Sequence, residues 1–272
     1  MSAPEFATFW SGRLNALVCS CLATFPAKGA RLVVYTYDSA LDAPSGVEVR
    51  DAREICPDPG LTRRYFVDGK ASLATFSDRF RYEMLIRTNQ CWVDADMVCL
   101  RPEGLLDTPM IWGRQPEARG KALINNAVLR LPSDHPVLAT MLKRARAAEG
   151  VDINWGAIGP FQLTEAAEAE GVYETSFAPE RFYPVAPDEF WRLLDPASRD
   201  ALDASTGDAI FVHLWSELLR RVGYDFDAAP PRGAYLHERF AEIGTLGRFR
   251  RACEVAEISA LIARWNASAP VR

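Results

Sequence analysis

Apolar side chains recur at helical spacing over residues 14–22. The following run Arg31-Leu-Val-Val-Tyr-Thr-Tyr37 is dense in β-branched and aromatic residues, so the amino terminus reads β-α-β. Val47-Glu-Val-Arg50 alternates and predicts another short strand, while Asp58-Pro59-Gly60 supplies turn chemistry. From Ser72 to Thr88, Leu73, Phe76, Phe80 and Met84 fall on one stripe and predict an amphipathic helix stopped at Asn89. The next run, Cys91 to Leu100, is apolar except for Asp94 and Asp96, and predicts a buried strand broken by two acids that Pro102 and Gly104 close. Residues 123–131 predict a strand, and Pro132-Ser-Asp-His-Pro136 opens a helix over 137–148. Residues 151–203, rich in proline and aromatics, read as mostly loop. Residues 209–215 predict a late strand, followed by a mostly helical tail to Trp265. Strands alternating with helices predict an α/β fold with a largely parallel sheet, and no repeat or linker divides the chain.

Composition narrows the function. Of the 272 residues, 49% are hydrophobic and 25% charged, the balance of a globular protein able to bury a core. The net charge of −5, from 36 acidic against 31 basic side chains, argues against a nucleic-acid partner, which needs a basic footprint. The longest early apolar stretch, residues 14–25, is interrupted by Asn15, Ser20 and Thr24 and has neither a basic lead-in nor a cleavage site. No run reaches the ~20 apolar residues that cross a bilayer, so the expected location is the cytoplasm, with access to the inner membrane face. The basic residues Arg248, Arg250 and Arg251 would serve such peripheral membrane contact, or form a solvated face. Cys19, Cys21, Cys56, Cys91, Cys99 and Cys253 follow no zinc spacing and read as buried free thiols. Asn266-Ala267-Ser268 matches a glycosylation sequon that has no secretion signal to accompany it.

Asp94-Ala95-Asp96 carries the chemistry. Two neighbouring carboxylates in an apolar strand need a divalent cation, a basic partner, or exposure at the strand's carboxyl end. Oxygen ligands favour Mg²⁺ or Mn²⁺ over zinc, and an open α/β sheet binds ligands beyond its carboxyl edge. The plain alternative is a turn with solvated acids. Asp78 and Arg81, three apart on the preceding helix, share a face with each other and, with Ser77, point toward the acid pair's end of the sheet. A surface ion pair is the rival reading there.

The run FSDRFRYEMLIRTNQCWVDADMVCLRP, which ends at Pro102, resembles the sugar-binding region of DXD glycosyltransferases, written SD-x-x-RY … G-x-Y-x-D-x-D-x-x-x-L-x-P. It is similar to glycosyltransferase family 32 (the α-1,4-glycosyltransferase and initiating-mannosyltransferase group) and more distantly to the clostridial glucosylating toxins. Further blocks follow in the family's order: Phe9-Trp10-Ser11-Gly12 with Leu14, Asn125-Asn126-Ala127, Ile158-Gly159-Pro160 with Thr164, Phe182-Tyr183-Pro184, and His213-x-Trp215. The chain departs at Thr88-Asn89-Gln90-Cys91, where a Gly-Gly pair is usual, and lacks the usual acid shortly after Leu14.

The resemblance implies a GT-A, Rossmann-like single domain over residues 1–272. Its nucleotide-sugar half would be 1–105, its acceptor half 106–234 and its helical tail 235–272. It implies transfer of a hexosyl unit from a UDP- or GDP-sugar to a glycan or glycolipid hydroxyl, in surface polysaccharide or lipopolysaccharide synthesis. It also implies retention, with the departing phosphate assisting the attacking hydroxyl. Asp94 and Asp96 would hold Mn²⁺ or Mg²⁺, with His213 a third ligand or a buried structural histidine. Asp94, Asp96 and Asn126 would form the catalytic group, and Asn126 would contact donor or acceptor. Ser77, Asp78 and Arg81 would bind the transferred sugar. Trp10 would stack on the base, or simply pack in the core. Gly12, Gly159, Pro160 and Trp215 would line the donor, with Trp215 over the diphosphate. His135 and His237 read as capping or surface residues. The rival functions are a nucleotide-sugar phosphohydrolase, which would want a second metal site about 4 Å away, and an inactive carbohydrate-binding protein.

Overall fold

The computed structural model describes residues 4–116, 121–154 and 156–268. Eight strands frame the site: Phe6–Phe9 (β1), Leu32–Thr36 (β2), Val47–Asp51 (β3), Cys91–Val93 (β4), Met97–Cys99 (β5), Ile111–Arg114 (β6), Ile124–Arg130 (β7) and Phe211–His213 (β8). Six form one mixed sheet in the order β3-β2-β1-β4-β7-β6. The first four are parallel, and β7 and β6 run antiparallel at one side. The expected α/β class therefore holds, and within this sheet the parallel pairs are the amino-terminal ones. β1, β2 and β4 are buried throughout, as parallel strands covered on both faces must be, which is why their sequences are almost wholly apolar.

Alternation along β1 assigns its two faces. Phe6 packs with Val18, Leu22 and Phe25 of helix Ala16–Ala27 (α1). Ala7 and Phe9 pack instead with Phe76 and Phe80 of helix Leu73–Arg87 (α2) and with helices Pro136–Ala147 (α3) and Pro160–Ala169 (α4). Side chains at i and i+1 of a strand point to opposite faces, so one short strand anchors both layers. A third cluster joins the far side of α1, through Leu17 and Cys21, to the carboxy-terminal helices Tyr235–Glu242 (α5) and Val255–Ser268 (α6).

α2 matches its predicted span because every signal agrees. Ser72 Oγ accepts from the Thr75 amide at 3.2 Å, and the Thr88 amide closes the last turn on Met84 O at 2.8 Å. The predicted Cys91–Leu100 strand is instead two strands separated by a turn. β4 lies in the main sheet, while β5 pairs antiparallel with β8 in a separate ribbon. The physical reason is the acid pair: a continuous ladder would leave both carboxylates flanked by apolar neighbours, whereas the turn, closed by Met97 N to Asp94 O at 3.1 Å, carries them to the sheet's carboxyl edge. Residues 151–203 are also more ordered than expected. Pro160 does not break a helix but opens α4, at the first position where its fixed φ suits the helix and its missing N–H costs nothing. The six cysteines are free and buried.

Candidate active site

The turn after β4 presents Asp94 and Asp96 beyond the carboxyl end of a central parallel strand. Asp94 N donates to Ala127 O of β7 at 2.8 Å, which ties the turn to the antiparallel side of the sheet. β8 delivers His213 opposite Met97, so that His213 Nε2 lies 3.2 Å from Asp96 Oδ1. The second oxygen of Asp96 accepts from the Ser216 amide at 2.8 Å. Asp94, Asp96 and His213 each offer a ligand atom within 4.8 Å of the others, a group able to hold a metal ion.

α2 supplies the neighbouring wall. Arg81, 4% exposed, donates from Nη2 to Asp94 Oδ1 at 2.7 Å, and its Nη1 is 3.1 Å from Asp78 Oδ1. Asn126 Nδ2 of β7 donates to the same Asp78 oxygen at 2.8 Å. The i,i+3 pair predicted on α2 is therefore real, but it is buried and linked to the acid turn rather than solvated. Ser77 is half-buried one residue earlier, and no hydrogen bond joins it to this cluster among the described residues. Gly159 abuts Asn126: a Cβ built there would stand 3.8 Å from Asn126 Nδ2, and Pro160 follows as the first residue of α4. The carbonyl just before, Ile158 O, accepts from Tyr82 of α2 at 3.1 Å.

Trp215 sits in the left-handed region at φ 54, ψ 46, uncommon for a bulky residue and a form of local strain that gathers at functional sites. Its ring lies 4.1 Å from the His213 ring at a tilt of 47°, and its indole N–H is committed to Val185 O at 3.0 Å. Trp10 is half-buried at the end of β1, held by its own amide to Tyr35 O at 2.9 Å, with a buried indole nitrogen that has no partner. Gly12 is exposed with φ +83, a backbone shape that favours glycine. His135 caps α3, its Nδ1 accepting from Val137 N at 3.2 Å, and His237 pairs with Glu238, as their predicted roles require.

Sequence reasoning missed two residues. Trp92 of β4 donates its indole N–H to Asp94 Oδ1 at 2.7 Å, and Tyr183 lies with its ring 5.9 Å from His213 and 6.0 Å from Trp215. The period of two along β4 places residue 92 on the same face as residue 94, and that was the available signal.

The electrostatics follow from burial and pairing. Burial works against the charge on Asp96, but the His213 imidazole and the Ser216 amide outweigh it and hold the carboxyl well below the usual carboxylate range. Burial also opposes the charge on His213, and Asp96 overcomes it, so the imidazole titrates above its ordinary value. Burial pushes Asp78 up to about 7, with Arg81 resisting and the Asp94 charge adding to the rise.

The residues fit a hard divalent cation. Two carboxylates and one imidazole form a mixed oxygen–nitrogen donor set. His213 Nδ1 is a buried nitrogen without a hydrogen-bond partner, the kind of atom that ordinarily finds a ligand or water.

No family model matches the chain, and no curated protein matches it. Among solved structures it is similar to the PaToxG glycosyltransferase, with a TM-score of 0.44 and 17% identity over 61% of this chain and 71% of that one. It is also similar to the glycosyltransferase GlyE of Streptococcus pneumoniae TIGR4, with a TM-score of 0.40 and 10% identity over 98% of this chain. The chain spans 64% of the length of that structure. Likenesses of this size leave the activity to be argued from the chain's own atoms.

Proposed function

We propose that the chain is a metal-dependent glycosyltransferase of GT-A type, one domain that moves a hexosyl unit from a UDP- or GDP-sugar to a glycan or glycolipid hydroxyl. The supporting observation is the grouping of Asp94, Asp96 and His213 within 4.8 Å at the carboxyl edge of the sheet, beside the buried Asp78–Arg81–Asn126 chain. Mn²⁺ or Mg²⁺ held by those three ligands would supply the positive charge that a nucleoside diphosphate needs in order to leave.

The remaining roles belong to side chains. Asp78 accepts, and Arg81 and Asn126 donate, a set that matches the hydroxyls of a sugar ring. Ser77 is kept in that group as its weakest member. Trp10 offers a face to the base, and Gly12 lets the chain turn beside it. Gly159 and Pro160 start α4 against Asn126 with no side chain in the way. Trp215 covers the diphosphate with its ring face, since its N–H is already taken. Retention is the expected stereochemical outcome, with the departing phosphate taking the acceptor's proton. Surface polysaccharide or lipopolysaccharide synthesis is the setting we favour. Among the described residues no helix is long and apolar enough to cross a membrane.

Calorimetric titration of UDP- and GDP-sugars, with and without Mn²⁺, on wild type and Asp96→Ala tests the reading. Manganese-dependent binding of one donor, lost in the variant, is expected. Binding of no donor under any metal condition overturns it. With acceptor present, an NMR time course should show the donor's anomeric configuration in the product, and the opposite anomer would remove retention.

A further inference from the structure

The two oxygens of Asp94 have different surroundings. Trp92 Nε1 and Arg81 Nη2 each donate to its Oδ1 at 2.7 Å, while Oδ2 has no hydrogen-bond partner among the described residues. The indole is itself immobile. It is 1% exposed, lies in β4 between its neighbours β1 and β7, and packs 6.4 Å from the Phe80 ring of α2. Its ring also carries the Arg81 guanidinium, whose carbon is 4.7 Å from the ring centroid. A single indole thus holds both the carboxylate and the cation that shares that oxygen. Packing accounts for a large ring here, but an N–H aimed at the acid is a property of tryptophan that packing does not require.

We propose that Trp92 is a positioning residue which, with Arg81, fixes Asp94 as a one-oxygen ligand and so biases the site toward small octahedral cations. The inference rests on the metal reading above. Two N–H donors on Oδ1 occupy the lone pairs that a bidentate carboxylate would turn to the ion. Ca²⁺ leans on bidentate carboxylates and high coordination numbers, whereas Mg²⁺ and Mn²⁺ accept single oxygens in near-ideal octahedra. Outer partners of this type hold a ligand's orientation and commonly alter metal affinity by about 10–100-fold. Removing the indole N–H frees Asp94 to rotate, which weakens the small ion and spares the large one.

The test is calorimetry with Mn²⁺ alone and with Ca²⁺ alone, on wild type and Trp92→Phe, alongside the melting temperature of each protein without metal. The variant keeps an aromatic face for Arg81, loses the donor and shortens the ring in the core, and the metal-free melting temperature reports that packing loss separately. The expected result is a Kd for Mn²⁺ raised about tenfold and a smaller change for Ca²⁺, so that the preference between them narrows. An unchanged Mn²⁺ affinity, or equal losses for both ions tracking a fall in melting temperature, overturns the proposal. If Trp92→Phe does not fold, ¹⁵N NMR of the wild type replaces it. An indole N–H peak that moves in Asp94→Asn should also move on titration with Mg²⁺, and a peak that ignores Mg²⁺ overturns the proposal equally. A wild type that binds no Mn²⁺ removes the metal reading itself, whereas a variant that matches a Mn²⁺-binding wild type removes only the role of Trp92.

Discussion

Asp78 is an ordinary carboxylate in the sequence and an unusual one in the fold. Burial raises it from 3.8 to about 7, so between those values the folded chain binds a proton that the unfolded chain has lost. Stability therefore falls as pH rises through that window and levels off above it, opposite to the salt-bridged carboxylates that cause acid unfolding. Asp78→Asn removes the titration. Urea unfolding of wild type and variant at pH 4.5 and pH 8 should show the difference moving in the variant's favour with rising pH, on the order of 3 kcal/mol. A difference independent of pH would mean that Asp78 titrates alike in both states. The helix spacing showed that Asp78 and Arg81 share a face, but it did not show that the face is buried. Exposure depends on what packs against α2, and of its neighbours α3 and β7 are remote in sequence.

At the scale of the element, α2 is the part of the chain that local physics determines most fully, and it carries Ser77, Asp78 and Arg81. Its orientation is fixed from the opposite face. Glu83, with its side chain 5% exposed, meets Arg79 Nε at 3.2 Å, Arg146 Nη2 of α3 at 2.7 Å and Arg87 Nε at 3.7 Å. Removing the charge costs the largely buried Arg79 a partner, while the half-exposed Arg146 and Arg87 turn to water, a change worth about 1–3 kcal/mol. Glu83→Gln should lower the unfolding free energy by that much, read as a lower urea midpoint with an unchanged slope. Glu149→Gln, at a carboxylate 33% exposed on the same network, should cost no more than about 1 kcal/mol. Equal losses for the two would show that burial does not set the energy here. The acid turn shows the converse for strands. The apolar period predicted strand on both sides of Asp94, yet the change of sheet between β4 and β5 depends on β8, more than 100 residues later.

Over the whole molecule, the site is assembled from α2, the β4–β5 turn, β7 and the β8–Trp215 segment, which no stretch of sequence holds together. A cation bound there stabilises the entire fold, because the unfolded chain does not keep its ligands close. Excess Mn²⁺ at ~100 times its Kd should add about 2.7 kcal/mol and raise the melting temperature, with most of the rise lost in Asp96→Ala. A melting temperature indifferent to Mn²⁺ in the wild type would argue that the acid group holds no metal.

The sequence alone determined the α/β class, the span of α2, the acid pair interrupting an apolar run and the shared face of Asp78 and Arg81. Each rests on hydrophobic period, capping or i,i+3 spacing, which act between near neighbours in the chain. Tertiary structure alone decided the antiparallel side of the sheet, the helix opened by Pro160, the placing of His213 on Asp96 and the indole on Asp94. Those depend on which distant surfaces bury one another. Burial also sets whether a carboxylate is solvated, neutralised by a partner or lifted to titrate near neutrality, so that part of the chemistry became legible only once the layers were in place.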